Sequence, residues 1–302
     1  MSSHLPGPLR VEHVVGESLR VTNGASQVFD YRYHGRPKPF MHPVCMPPGC
    51  SGAGIPLTLF EPSDHLWHRG LWFTIKYVNG ENFWEERDSE PFGRQELCAV
   101  PTVEHPAADR LIVRHASRWV RPGGDTALTE QRSVGYRPLV DAPTAAYALD
   151  WRIRLTAEAD TVLDRTVFGS LGQWGGYGGL CFRASRNWVK TVLRFSDGQT
   201  SDRPLGIPAR WAELSGPLDG GDRLHAGVAV LDHPTNPRHP TPWYGGTGIG
   251  HYVNPALLFH EPLSLGAGQT LALAYRVVVH DGAWEPAELE RAWAAWSAQA
   301  GG

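Results

Sequence analysis

The sequence predicts an all-β protein, a large antiparallel β-sandwich with one short C-terminal helix. Three observations predict it. Segment after segment alternates apolar and polar residues with the two-residue period of a strand. Turn signatures rich in glycine, proline and asparagine stand between those segments. Helical spacing occurs only near the end, where Pro286 suits a first helical turn and Leu289, Trp293 and Trp296 follow at intervals of three and four. Many short strands with almost no helix have one economical packing, two sheets face to face.

Taken in order, Leu9 to Val21 and Gln27 to Tyr33 read as strands joined by a turn at Thr22-Asn23-Gly24. Arg36 to Pro56 is rich in proline and glycine and reads as a loop. Next comes the stretch around which the chain is organised, Glu61 to Glu86. Within it Leu71, Phe73, Ile75 and Tyr77 alternate with Trp72, Thr74, Lys76 and Val78. Asn79-Gly80 then suits a type I′ turn, whose central residues both need positive φ. The return strand, Glu81 to Glu86, places Ile75 opposite Trp84 and Lys76 opposite Phe83. Ala107 to Trp119 and Ala127 to Tyr136 form a further pair around Pro122-Gly123-Gly124-Asp125. Tyr147 to Ala157 and Thr161 to Phe168 alternate as a strand with one face on a core. Leu180 to Ala184, Trp188 to Phe195, Pro208 to Leu214, Ala226 to Leu231, Ala256 to Phe259 and Leu271 to His280 complete the strands.

Composition sets the function classes. The 302 residues are 41% hydrophobic and 10% aromatic, enough for a large core, and no stretch reads as a linker, so one domain over 1–302 is expected. A net charge of −3 without a basic run excludes a nucleic-acid or anionic-membrane footprint. The start lacks a charged and apolar leader, and no long apolar run exists, so a soluble cytoplasmic protein is expected. Four cysteines (Cys45, Cys50, Cys98, Cys181) without CxxC spacing indicate neither a zinc knuckle nor a disulfide framework. Only three lysines occur, Lys38, Lys76 and Lys190, and no function is read from that bias. An oligomer is compatible with the sequence.

Four clusters carry chemistry. Asp64, His65, His68 and Arg69 stand at the mouth of the central hairpin, where a sandwich holds ligands. On a turn, His65 and His68 share one side and suit either acid–base work or metal ligation; a divalent metal would need a third ligand, with His42 or His260-Glu261 the candidates. No cofactor is otherwise indicated. The glycine-rich Gly169 to Gly179, with Gln173, Trp174 and Tyr177, reads either as a loop that approaches a ligand closely or as tight bends between strands. Asp232, His233, Asn236, Arg238 and His239 crowd a proline-stiffened loop that favours ligand contact over an idle surface. His260-Glu261 presents an imidazole and a carboxylate where a strand ends at Pro262.

The stretches DHLWHRGLWFTIKYVNGENFW, RPKPFMHPV, GYGGL and LDHPTNPRHPTPWY together resemble the PmoA-like family of unknown function, from about Arg36 to about His280. That family's first motif usually has consecutive histidines; Trp67 stands at one of those positions here, so a three-histidine chelate is incomplete in this motif. The resemblance implies a sandwich similar in plan to galactose mutarotases and a role in carbohydrate metabolism; the methane-oxygenase label often attached to the family is misleading.

The expected function is therefore a carbohydrate-active enzyme taking a sugar or keto-sugar, of lyase, hydrolase or epimerase type, with a small-molecule carbohydrate as partner. His65 and His68 are the expected acid–base groups with Asp64 or Glu261 as carboxylate. Arg69 and His233 would hold oxygens, and Trp84 and Trp174 would stack on the sugar. Tyr177, His42, Asp232, Asn236, His239 and His260 complete the expected binding residues, all three histidine clusters lining one concave face. The alternative is a non-catalytic carbohydrate-binding module, which needs aromatic plates but no converging acid and base.

Overall fold

The computed structural model describes residues 7–170, 174–220, 224–248 and 250–299. Among them, antiparallel strands form three sheets and the chain is an all-β sandwich with one helix, Pro286–Ser297. The first sheet runs Leu9–Val14, Ser18–Asn23, Ser26–Arg32, Phe40–Val44, Leu71–Thr74, Gly179–Arg183, Tyr252–Pro255, Pro242–Gly246, Leu205–Pro208. The second runs Val192–Phe195, Trp211–Pro217, His225–Asp232, Thr270–Asp281, Ala146–Ala157, Thr126–Pro138, Arg110–Val120, Arg94–Leu97, with Thr102–Ala107 also paired to Arg110–Val120. A small third sheet joins Leu263–Leu265, Thr161–Asp164, Tyr77–Val78 and Glu81–Asn82.

Strand alternation divides each large sheet into two faces. Leu71, Phe73, Leu180, Phe182, Val253 and Trp243 point from the first sheet into the main core, where Leu149, Trp151, Val228 and Val277 of the second meet them. The residues between them point the other way, and they too are apolar: Trp72, Cys181, Tyr252 and Tyr244 form a second cluster with Phe40 and Trp84. Burying one such ring is worth roughly 1.5–3 kcal/mol, so the outer face of the first sheet is a packed aromatic layer. The outer face of the second sheet is closed by the helix, whose Leu289 and Trp296 sit with Trp284 on Trp211, Leu231 and Val278. Glu288 starts that helix by reaching back to the Glu285 N–H at 2.8 Å.

The hairpin register is as the sequence predicts: Tyr77 pairs with Asn82 and Val78 with Glu81 around a turn in which Asn79 and Gly80 have φ of 51° and 81°. Its first strand, however, breaks after Thr74, and the return strand, expected to reach Glu86, ends at Asn82, whose side chain takes the N–H groups of Trp84 and Glu85. Leu71–Thr74 belongs to the large sheet and Tyr77–Val78 to the small one, so Ile75-Lys76 is where the chain changes sheets.

Other expectations are corrected. Leu9 to Val21 is a hairpin, turned by Gly16 at φ 81°. The expected loop from Arg36 contains the strand Phe40–Val44, which the neighbours Ser26–Arg32 and Leu71–Thr74 hold by pairing. Ala256 to Phe259 is a turn, the strand having ended at Pro255. Pro208 to Leu214 spans two strands, Leu205–Pro208 and Trp211–Pro217. Among the described residues, no helix is long and apolar enough to cross a membrane. Gln173 and the first six residues, on which the leader reading rests, lie outside the described residues.

Candidate active site

The stretch Glu61 to Gly70 folds over the outer face of the first sheet. Its backbone is tied by Glu61 N–H to His68 C=O at 3.0 Å and His68 N–H to His65 C=O at 2.9 Å, which makes the turn that brings both imidazoles to one side. Gly70 then enters the sheet at φ 68°, where an added Cβ would lie 2.2 Å from the Met41 carbonyl oxygen; only glycine passes here.

The His65 and His68 rings are 4.7 Å apart. His65 is half-exposed, and its Nδ1 donates to Asp64 Oδ2 at 3.1 Å. Partial burial opposes ionisation of Asp64, but the His65 hydrogen bond and the Arg183 charge outweigh it and keep the carboxyl below its ordinary value. An ionised acceptor fixes the His65 tautomer with the proton on Nδ1 and leaves Nε2 as a base. Arg183 and Arg186 hold the same carboxylate, each at 3.3 Å, so its position is set from two sides.

His68 is buried in the aromatic layer. Its ring stacks on Tyr252 at 5.6 Å, lies 5.0 Å from Trp72 and meets Trp84 edge-on at 6.2 Å. Burial, aided by the positive charges of Arg183, Lys38 and Arg69, holds its pKa well below the usual histidine value. Its ring is therefore held neutral, with nitrogens that can donate or accept a hydrogen bond. Its Nδ1 and the neighbouring Trp72 Nε1 are both buried without a protein partner. Two such polar atoms, on rings 5.0 Å apart, suit an oxygen-rich ligand.

Arg69 does not reach out to a ligand. It bridges Glu61, at 2.8 Å, and both oxygens of Glu86, while Lys38 Nζ bonds Glu86 at 2.5 Å and the Trp84 carbonyl at 2.8 Å. Burial opposes ionisation of Glu86, but the two cations outweigh it and keep the carboxyl below the usual range. This buried ladder stiffens the wall behind His68.

On the far side of Trp84 lies Tyr177, half-buried, with ring distances of 5.1 Å to Trp84 and 5.4 Å to Tyr244. The glycine-rich loop is pinned under it by the buried Asn254 side chain, which bonds Gly178 N–H at 3.0 Å and the Gly178 and Leu180 carbonyls at 3.1 and 2.7 Å. Gly176 packs so closely on Phe259 that a Cβ would come within 2.3 Å of its ring. The Tyr177 hydroxyl donates to Glu85 Oε1 at 3.2 Å, and Glu85 also pairs with Lys76.

The remaining sequence candidates separate. Trp84 is an inner wall of the layer, only 1% exposed, so it is not an open stacking plate; Trp174 is 61% exposed, with Arg203 over its ring. His42 faces the same side, stacked on Phe60 at 5.2 Å with its Nδ1 on Thr58, and burial lowers its pKa to about 4. His260 sits beside Phe259 at the edge of the layer, but Glu261 turns away to Arg238 at 3.2 Å. The expectation that Glu261 partners the histidines is not met.

Asp232, His233, Asn236 and His239 lie on the opposite side of the molecule, beneath the C-terminal helix. His239 stacks on Trp293, His233 meets Trp296 edge-on and contacts the Gln299 carbonyl, and Trp293 Nε1 donates to the Asp232 carbonyl. The Asp232 carboxylate is taken up inside the loop by Asn236, His239 and the Thr241 N–H. A dense polar loop here serves the docking of a helix, and the expected single concave face for all three clusters is corrected. Among the described residues, no three His, Cys, Asp or Glu side chains are grouped to hold a metal ion; His42 and His260 do not join His65 and His68.

Lys38, Lys76, Glu85, Glu86, Tyr252 and Trp72 escaped the sequence reading. One signal was there: two of only three lysines are buried against carboxylates of this site.

Fold and site define a class: an antiparallel β-sandwich carrying an Asp–His pair at the edge of an aromatic layer on the outer face of one sheet. The chain belongs to DUF6807, a family of unknown function whose pattern matches residues 18–294. No curated protein matches it. Among solved structures it is similar to a galactose mutarotase related enzyme from Lactobacillus acidophilus, at 8% identity over 90% of this chain and 97% of that one, with a TM-score of 0.37. It is also similar to a polysaccharide lyase, at 8% identity over 91% of this chain and 33% of that one, with a TM-score of 0.33.

Proposed function

We propose that this protein is a carbohydrate-active enzyme that moves protons on a sugar or keto-sugar, as a lyase, glycoside-cleaving enzyme or epimerase does. One observation carries the reading: the Asp64–His65 pair, with the His68 ring 4.7 Å beyond it, borders a layer of aromatic rings. A carboxylate that fixes the tautomer of a half-exposed imidazole is the arrangement of a general base. A sugar ring offers an apolar face to Tyr177 and Trp67 at the rim and hydroxyls to His68 and Trp72. His65 would take the proton from carbon or oxygen, and Arg183, through Asp64, keeps that base oriented. The single-domain organisation, the cytoplasmic setting and the affinity to PmoA-like sequences belong to the same proposal.

The test is a screen of glycosides, keto-glycosides and free keto-sugars for conversion by the wild type and by His65→Ala. Conversion of one class that falls by about two to four orders of magnitude in a folded His65→Ala supports the reading. Sugar binding without conversion, unchanged in His65→Ala, would assign the protein to the non-catalytic binding modules instead.

A further inference from the structure

Lys76 is, with Lys38, one of two buried lysines of this chain. It stands where the central strand leaves the large sheet for the small one, between Thr74 and Tyr77, and its side chain is 5% exposed. Its Nζ pairs with Glu85 and lies 4.9 Å from the Tyr77 ring centroid and 6.0 Å from that of Tyr177. Glu85 is held in turn by the Tyr177 hydroxyl at 3.2 Å, and by its own N–H on Asn82 Oδ1 at 3.1 Å. Tyr177 is the same ring that borders Trp84, which in turn meets His68, so the amine is joined to the imidazole through two rings of the aromatic layer.

We propose that Lys76 is a reactive amine that captures a carbonyl-bearing ligand as an imine, with Glu85 as its proton carrier and Tyr177 as the group that positions Glu85. The proposal deepens the preceding one by naming the substrate class, an open-chain or keto-sugar, and only that sugar identity rests on it. In the step, the Nζ lone pair forms a bond to the carbonyl carbon and the C=O π pair moves to oxygen. Glu85 takes a proton from nitrogen and delivers it to that oxygen, giving a carbinolamine. Glu85 then takes the remaining nitrogen proton and hands it to the hydroxyl, which leaves as water as the nitrogen pair closes the C=N bond, so ketone plus amine yields imine plus one water. A desolvated lysine beside other cations is how proteins keep such an amine nucleophilic. Burial, with Arg87 and Lys38 as neighbouring positive charges and Glu90 opposing them, brings the Lys76 pKa down to about 7. Tyr77, Tyr177 and Glu85 are the other titratable groups that face it.

The experiment uses the full chain, dihydroxyacetone and a panel of ketoses, with cyanoborohydride to reduce any imine, followed by peptide mapping by mass spectrometry. Three lysines make the result unambiguous. The expected adduct is on Lys76, at least tenfold above Lys190, absent in Lys76→Arg and slowed about tenfold or more in Glu85→Gln. Mapping on the wild type needs no variant to fold. In parallel, the rate of Lys76 acylation should rise with pH through a midpoint near its lowered value of about 7. Labelling of Lys190 as fast as Lys76, or no adduct on Lys76 with any probe, overturns the proposal. Sugar conversion that needs His65 but survives Lys76→Arg without an adduct sinks this inference alone. An adduct on Lys76 in a protein that converts no sugar sinks the carbohydrate reading and leaves the amine standing.

Discussion

The ring of His68 lies against the ring of Tyr252, with centroids 5.6 Å apart and planes 17° from parallel. One residue comes from the turn before the central strand and the other from a strand far along the chain, and the contact closes the aromatic layer. His68→Phe should keep the stack, so the variant folds with a melting temperature close to wild type. Its lost nitrogen should weaken sugar binding by about tenfold, the worth of one hydrogen bond. Isothermal titration with the converted sugar checks it; unchanged affinity would remove His68 from ligand contact.

Asp64 fixes the tautomer of His65, so Asp64→Asn should leave the fold intact while turnover drops by about two orders of magnitude or more. Kinetics and near-ultraviolet circular dichroism on the same sample separate the two effects. A loss of stability with normal turnover per folded molecule would make Asp64 a structural hub for Arg183 and Arg186 only.

The ladder Lys38–Glu86–Arg69 is buried, and removing its central charge strands Lys38 and leaves Arg69 with Glu61 alone. Glu86→Gln should cost about 3–5 kcal/mol of stability. Glu61→Gln, at a half-exposed carboxylate, should cost much less. Urea unfolding of both variants gives the comparison, and equal losses would contradict the assignment.

Acid should weaken the fold through histidines held neutral. Burial is the first cause of the depressed pKa of both His68 and His115, with nearby arginine charge adding to it. Their unfolded value is about 6.5. Below that pH the unfolded chain takes up protons before the native one, so the stabilisation is complete above about 6.5 and is lost as pH falls. Each such histidine contributes a slope of about 1.4 kcal/mol per pH unit. Denaturant titrations between pH 7 and 5 should show the decline, and His68→Phe should flatten it by one histidine's share.

The loop from Asp232 to His239 docks the helix Pro286–Ser297, and its imidazoles are far from the aromatic layer. His239→Ala removes the stack on Trp293 and should cost about 1–2 kcal/mol. Sugar affinity should not change. A variant of full stability that loses sugar binding would return this loop to the site.

Much of this protein was legible because its signals are local. The alternation of Leu71, Phe73 and Ile75, the Asn79-Gly80 turn and the spacing of Leu289, Trp293 and Trp296 act within a few residues, and strand, register and helix followed from them. Asp64, His65 and His68 share one turn, so their meeting was also local. Strand breaks were less legible: Ile75-Lys76 changes sheets because Leu163 and Asp164, from elsewhere in the chain, pair with Tyr77–Val78.

By itself the sequence determined the all-β class, the central hairpin and the histidine pair at its mouth, since backbone period and turn chemistry need no distant partner. Tertiary structure alone decided which faces those strands present and which polar groups meet. Alternation defines two faces of a strand without saying what covers each. Helix Pro286–Ser297 covers the outer face of the second sheet and claims His233 and His239, while the turn at Glu61 to Gly70 covers that of the first and sets His68 against Trp72, Trp84 and Tyr252. Those neighbours come from separate strands and loops, and only the packing of the sheets sets the distances between them.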